Sequence, residues 1–310
     1  MSKPGLSGGV RYRGASGTNG TMRLLKQGET LTGILEMPSD LNNHLPATSL
    51  RVAIHTGVAY LDLELTIKNK AKDNWPEADW LCLPFRLNSP QFRVARTLGV
   101  MDPSSDILTG ANRHIYAVGA GLTITGSDGA SVSLCPMDHP LVSLDTPGIW
   151  KFSLDFVPKK PVVFLNLYNN QWNTNYRYWY SGTWSSRVRI WFGDHLTVPA
   201  LETMVPLLAS AGSGARGPLP SSQSGIGVSR QGVIVTGLRQ KSKGRVTFLR
   251  LWELAGESGT ITVQLPSGSL SRIARPVDLR GNSLGPPIAI QAGSFDFLLR
   301  SFAPASFELE

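Results

Sequence analysis

Residues 58–68 read VAYLDLELTIK, and they alternate strictly. Leu61, Leu63, Leu65 and Ile67 fall on one side, and Asp62, Glu64, Thr66 and Lys68 on the other. Period-two alternation marks a strand with one face buried and one wet. The same pattern recurs at Val188, Ile190 and Phe192 in RVRIWF, and at Ile261, Val263 and Leu265 in TITVQLP. Turn signals separate such stretches: Ser127-Asp128-Gly129, Ser181-Gly182, Gly256-Glu257-Ser258-Gly259 and Pro266-Ser267-Gly268. The nearest approach to a helix is PALETMVPLLASA at 199–211, which Pro206 interrupts. Many short strands between Gly/Pro turns predict an all-β chain of sandwich type.

Composition agrees. The chain has 310 residues, 41% of them hydrophobic, with 32 Gly and 21 Pro. Charged residues are only 17%, which excludes a coiled coil or a disordered chain. No apolar run reaches the roughly 18 residues of a membrane helix, and MSKPGLSGGV has no apolar signal core. The expectation is a cytoplasmic protein without a membrane partner. Residues 210–225, SAGSGARGPLPSSQSG, hold 11 Gly, Ser or Pro in 16. They read as a connection between a large β domain at 1–209 and a small one at 226–310.

Net charge is +8, and its densest cluster is Arg239, Lys241, Lys243, Arg245 and Arg250. Exposed aromatics do not interleave it, so it reads as a solvated hairpin and not as a nucleic-acid surface. Cys82 and Cys135 stand far apart and read as small buried apolar residues, giving neither a disulfide framework nor a metal site. No metal or cofactor is expected.

Residues 168–191, YNNQWNTNYRYWYSGTWSSRVRIW, hold eight aromatics in 24 residues. Amides Asn169, Asn170, Asn173 and Asn175 surround Trp172, with Thr174 and Tyr176 close by. Aromatic rings cover the C–H faces of sugars, and amides bond their hydroxyls. The stretch equally suits a buried aromatic core with Asn in turns. Trp75-Pro76-Glu77-Ala78-Asp79-Trp80 sets carboxylates between indoles, a setting that raises a carboxyl pKa. Asn112-Arg113-His114 groups an amide, a cation and an imidazole. Asp138-His139 sets a carboxylate beside an imidazole, though strand neighbours point to opposite faces. Serine-hydrolase elbows, helical zinc pairs and phosphate loops are missing from the sequence. Carboxylate chemistry of the glycosidase type is what remains.

Taken in order, these motifs resemble the C-terminal β half of the α-mannosidase family, glycoside hydrolase family 38, with its bacterial relatives. Ile67-Lys68-Asn69-Lys70 followed by WPEADWLCLPFRLNSPQFRV looks like the family's strand-loop-strand entry. Gly110-Ala111-Asn112-Arg113-His114 and Cys135-Pro136-Met137-Asp138-His139-Pro140-Leu141 look like its following strands. The most specific match is NNQWNTNY at 169–176, similar to the family's Asn-Asn-x-Trp-x-Thr-Asn-aromatic stretch. Phe248 to Glu253 looks like part of its terminal sandwich. The resemblance spans roughly residues 45–310. It implies a galactose-mutarotase-like supersandwich followed by a small C-terminal β-sandwich. The family's nucleophile and zinc ligands lie on an N-terminal barrel that this sequence does not contain, so none of them transfers.

Two functions follow. In the first, the chain is an exo-glycosidase, with Asp138 and Glu77 as its carboxylate pair. A terminal sugar is then held by Asn170, Trp172, Thr174, Asn175 and Tyr176, with Asn112, Arg113, His114 and His139 lining the same side. In the second, it is a non-catalytic module that binds saccharide or completes an active site when paired with a separate barrel subunit; a homo-oligomer is compatible with either. The second reading predicts an exposed apolar patch on the N-terminal region.

Overall fold

A computed structural model describes residues 14–72, 77–96, 99–149, 151–170, 180–196, 198–212, 221–240 and 247–310. The chain divides into two compact units, Met1–Pro206 and Leu207–Glu310. Among the described residues the first unit's strands are β1 (Thr21–Gln27), β2 (Thr30–Met37), β3 (Ala47–His55), β4 (Tyr60–Lys70) and β5 (Ala78–Pro84). They continue as β6 (Gln91–Arg96), β7 (Gly99–Met101), β8 (Tyr116–Ala117), β9 (Leu122–Thr125) and β10 (Ser131–Pro136). The last three are β11 (Leu141–Leu144), β12 (Val162–Asn169) and β13 (Gly182–Phe192). Helix α1 (Val198–Met204) stops two residues before Pro206, as the sequence predicts.

These strands form a nine-stranded sheet, ordered β1-β2-β3-β4-β13-β10-β9-β6-β7, and a four-stranded sheet, ordered β5-β12-β11-β8. Their facing sides build one core. Leu63, Leu65 and Ile67 of β4 meet Leu81 and Leu83 of β5 and Val163 and Leu165 of β12 there. The alternation of residues 58–68 therefore decides which face of the large sheet is buried. Val188 and Ile190 point inward as expected. Phe192 does not: it lies at the strand's end and is 68% exposed. Its neighbour Trp191 is buried on the opposite face, beside Cys135 and Ala200 of α1. Cys82 corrects a second expectation. Leu81 and Leu83 take the inward positions, so Cys82 faces out and is exposed, whereas Cys135 is buried.

The two sheets are unequal, and this has a consequence at β1–β3. Pairing sets Met22 and Leu24 opposite Leu35 and Gly33, and Leu31, Gly33 and Leu35 opposite Ile54, Val52 and Leu50. These continue, through Leu50↔Leu65 and Val52↔Leu63, the inward face of β4. Leu50 and Val52 still pack against the core, whereas Met22, Leu24, Leu31 and Ile54 are exposed. An apolar strip thus runs from the core to the sheet's edge, where the second reading placed an apolar patch.

The second unit is a smaller sandwich of a three-stranded and a five-stranded antiparallel sheet. Leu249, Leu251, Ile261, Val263 and Phe307 fill its core. The strands at Val233–Gln240 and Thr247–Glu253 pair antiparallel, which makes the basic cluster's ends a hairpin. Arg239 lies 5.7 Å from the centroid of Phe248.

Candidate functional site

Two β-bulges define the site. In β4, Lys68 and Asn69 together oppose Thr183, because Ile67 pairs with Trp184 and Lys70 with Gly182. Asn69 takes the left-handed conformation, φ 47°, which Asn tolerates. Its N–H donates to Thr183 Oγ1 at 2.8 Å. An extra residue reverses the parity of everything after it. Lys70, due to face water by simple alternation from Ile67, is turned inward and only 6% exposed. In β12 the pairing passes from Asn166↔Trp80 to Tyr168↔Asp79, so Leu167 is the extra residue. The bulge leaves Leu165, Asn166, Leu167 and Tyr168 buried in succession.

The reaimed side chains meet. Lys70 Nζ lies 2.6 Å from Glu77 Oε1, with side chains 5% and 16% exposed. The same ammonium stands 5.1 Å from the centroid of Tyr168, which packs edge-on against Trp184. Burial raises the Asp79 carboxyl, against the pull of a Tyr168 hydrogen bond and the Lys70 charge. Asn166 donates to the carbonyls of Asp79 and Tyr168, both at 3.2 Å, and accepts from Asn169 at 2.9 Å. Asn170 closes the cluster. Its N–H donates to the Glu77 carbonyl at 3.1 Å, and its Oδ1 accepts the Glu77 N–H at 2.7 Å.

His139 adjoins this cluster at the second bulge. Its Nδ1 lies 2.7 Å from Ser186 Oγ, and the Leu167 backbone hydrogen-bonds the ring. A bulged residue has no ladder partner, so the imidazole satisfies a group that pairing leaves over. Burial holds this histidine below its ordinary pKa.

Asp138 is turned away. Arg187 grips it bidentately, Nε to Oδ2 at 2.9 Å and Nη2 to Oδ1 at 2.8 Å, and adds its own backbone N–H at 2.8 Å. These bonds hold the carboxyl below the usual carboxylate range, the reverse of what a proton donor needs. Arg187 lies between the buried Ser186 and Val188, so it and Asp138 occupy the outer face of the large sheet. Lys70 and Glu77 occupy the inner one. Along β13, Arg187 is five residues from Gly182, the partner of Lys70, which is about 16 Å of strand. The structure does not bring Asp138 and Glu77 together at the roughly 5–10 Å of a glycosidase pair. Asp138 and His139 have different partners, Arg187 and Ser186, but they lie in the connection between β10 and β11 and not on a strand.

The Asn112-Arg113-His114 group belongs to another place, the loop entering β8, on the far edge of the small sheet from β5. Asn112 Oδ1 accepts the His114 N–H at 2.7 Å, an Asx turn. Tyr116 donates to the Arg113 carbonyl at 2.6 Å. His114 is buried, stacked 4.3 Å from Phe156 and 2.9 Å from Ser153 Oγ. Burial also lowers its pKa.

Trp172, Thr174, Asn175 and Tyr176, with Trp75, lie outside the described residues. Lys70 and Asn166 were given no site role by the sequence, whereas Asp79 lies in the carboxylate–indole motif and Tyr168 opens the aromatic stretch quoted above. The one available signal was Asn166 and Asn169, polar residues in an otherwise apolar strand, VVFLNLYN.

No family model matches the chain, and no curated protein matches it in sequence. Solved structures do. A protein in the glycosyl hydrolase family 38 from Enterococcus faecalis superposes with a TM-score of 0.67 at 11% identity, over 94% of this chain and 37% of its own. An alpha-mannosidase from Enterococcus faecalis V583 gives 0.65 at 12% identity, over 94% of this chain and 35% of its own. At such identities the likeness establishes a shared fold. The chain spans little more than a third of the length of either protein.

Proposed function

We propose that this chain is the saccharide-binding β region of a carbohydrate-active protein of glycoside-hydrolase type, acting with a separate catalytic domain. The observation that carries this reading is the exposed apolar strip of Met22, Leu24, Leu31 and Ile54 on β1–β3. An exposed apolar face that continues a buried core suits a partner. The fold likeness to two longer proteins, one titled a glycosyl hydrolase and one an alpha-mannosidase, supports the class. Trp172, Thr174, Asn175 and Tyr176 are the proposed sugar contacts. They follow Asn170 directly in sequence, and Asn170 sits in the bulge-built cluster. His139 supports the bulge of β12, while Asn112, Arg113 and His114 hold their own loop.

The engagement of Asp138 by Arg187 and of Glu77 by Lys70 favours this role over an autonomous exo-glycosidase. A panel of α- and β-nitrophenyl glycosides of mannose, galactose, glucose, fucose and xylose tests the choice. The purified chain should hydrolyse none of them, with or without chelator. Turnover of any one, lost in Asp138→Asn or Glu77→Gln, would restore the glycosidase reading.

A further inference from the structure

We propose that the second unit captures an extended peptide, which adds as a strand to the open edge of its three-stranded sheet. That sheet runs Gly227–Val228, Gly259–Gln264, Ser294–Leu299. The five-stranded sheet runs Val233–Gln240, Thr247–Glu253, Pro304–Leu309, Ile273–Pro276, Ile288–Ala289. Phe295 and Phe297 meet Phe307 edge-on, with ring centroids 5.1 and 4.7 Å away, so Ser294–Leu299 stacks over Pro304–Leu309. The smaller sheet ends at that strand, while the larger one continues for two more.

Along this step lies a groove of about 410 Å³, within the roughly 300–1,000 Å³ of ligand pockets. Its walls are mainly apolar, with Val277, Leu279, Leu284, Ile288, Phe297 and Phe307 among them. Leu279 and Leu284 are largely exposed. Asp278 also lines the groove, but its carboxylate is occupied by its own loop, accepting from Arg280 and Asn282.

The rim selects a peptide over other apolar ligands. Ser229 N–H donates to the Thr262 carbonyl at 3.0 Å, and Thr262 N–H donates to Ser229 Oγ at 2.9 Å. Thr262 thus turns both backbone groups away from Ser294–Leu299. Ile261 and Val263 turn theirs toward it, onto Phe297 and Phe295. Ser294, Asp296 and Leu298 therefore aim their N–H and C=O groups at the open side. Gln291 takes up those of Ser294, at 2.9 Å each. No described residue takes up those of Asp296 or Leu298, and Leu298 lines the groove. Leu298 alternates with the inward Phe297, so what it offers the groove is backbone. A row of unpaired backbone groups beside an apolar pocket suits strand addition, in which the main chain supplies affinity and alternate side chains enter the pocket. An aliphatic or aromatic ligand without amides would leave that row unpaired. The fitting peptide is extended, with an apolar side chain at every second position.

The experiment titrates the full chain against a dye-labelled, capped hexapeptide of alternating valine and threonine, flanked by lysines, and reads fluorescence anisotropy. Saturable binding is expected. A twin peptide, N-methylated at alternate peptide nitrogens in each of the two registers, should bind at least tenfold more weakly in one register. Leu284→Asp, on the groove wall, should weaken binding at least tenfold with the melting temperature held. Leu298→Pro should do the same, since an outward N–H at a sheet edge is where proline is tolerated. If Leu298→Pro melts early, the methylated twins on the wild-type chain decide. No binding of the parent peptide would overturn the proposal. Equal binding of both twins would overturn it in favour of a merely apolar ligand. A wild-type dimer in sedimentation that Leu284→Asp dissolves would overturn it in favour of a second copy of this chain.

Discussion

Glu253→Gln should unfold the second unit at a markedly lower temperature. Glu253 is fully buried, and its carboxylate accepts the backbone N–H groups of Ala255 and Gly256 at 2.9 Å and of Phe302 at 2.8 Å. Two loops are thereby pinned together. Glutamine keeps one oxygen for Ala255 but turns an amide NH2 toward the N–H groups of Gly256 and Phe302. Two charge-assisted bonds are lost, at about 1.5–3 kcal/mol each. The expected destabilisation is about 3–6 kcal/mol, which for a unit near 100 residues is a fall of roughly 15–30 °C. Burial alone would raise this carboxyl, yet the N–H bonds of Phe302, Glu257, Gly256 and Ala255 together outweigh it and hold the pKa below its ordinary value. Its stabilisation is therefore present above the unfolded carboxylate pKa of about 4.3 and is lost as pH falls through the folded value. Calorimetry of both proteins from pH 7 to pH 3 measures the two effects. A loss below about 1 kcal/mol at pH 7, or an unaltered acid slope in the variant, would refute the reasoning.

Three further outcomes follow from single contacts. Burial lowers the pKa of both His114 and His139, so each stabilises the fold in its neutral form. That contribution is whole above about pH 6.5 and declines as pH falls through the folded values, so the wild-type melting temperature should drop between pH 7.5 and pH 5, less steeply in His139→Gln. Gly148→Ala should destabilise by roughly 2–4 kcal/mol in urea unfolding, because its Cβ would stand 2.0 Å from the His114 carbonyl oxygen. Asp138→Asn should cost only about 1 kcal/mol or less, since the Arg187 side chain is 55% exposed, and should leave saccharide affinity unchanged.

The architecture was legible where it depended on local parity. The alternation of Leu61, Leu63, Leu65 and Ile67 placed the core, and the break at Pro206 ended the helix. The same rule explains Cys82, whose neighbours Leu81 and Leu83 left it only the outer face. The site was less legible because it depends on parity being broken. Lys70 turns inward because of a bulge set by pairing with Gly182, more than a hundred residues away, and no nearby residue announces that. Asp138 had a visible neighbour in His139, but its true partner, Arg187, is 49 residues distant. Asn170 was read as a sugar contact from its company of aromatics. In the fold its side chain instead answers the backbone of Glu77, a use that composition cannot distinguish from ligand binding.

The most direct test of the account is calorimetric titration of the full chain with methyl glycosides and short oligosaccharides, run in parallel on Trp172→Ala. Saturable binding of at least one neutral sugar, abolished in the variant while the melting temperature holds, is the predicted result. Absence of binding across the panel by a folded chain, or binding that survives the loss of Trp172, would contradict it.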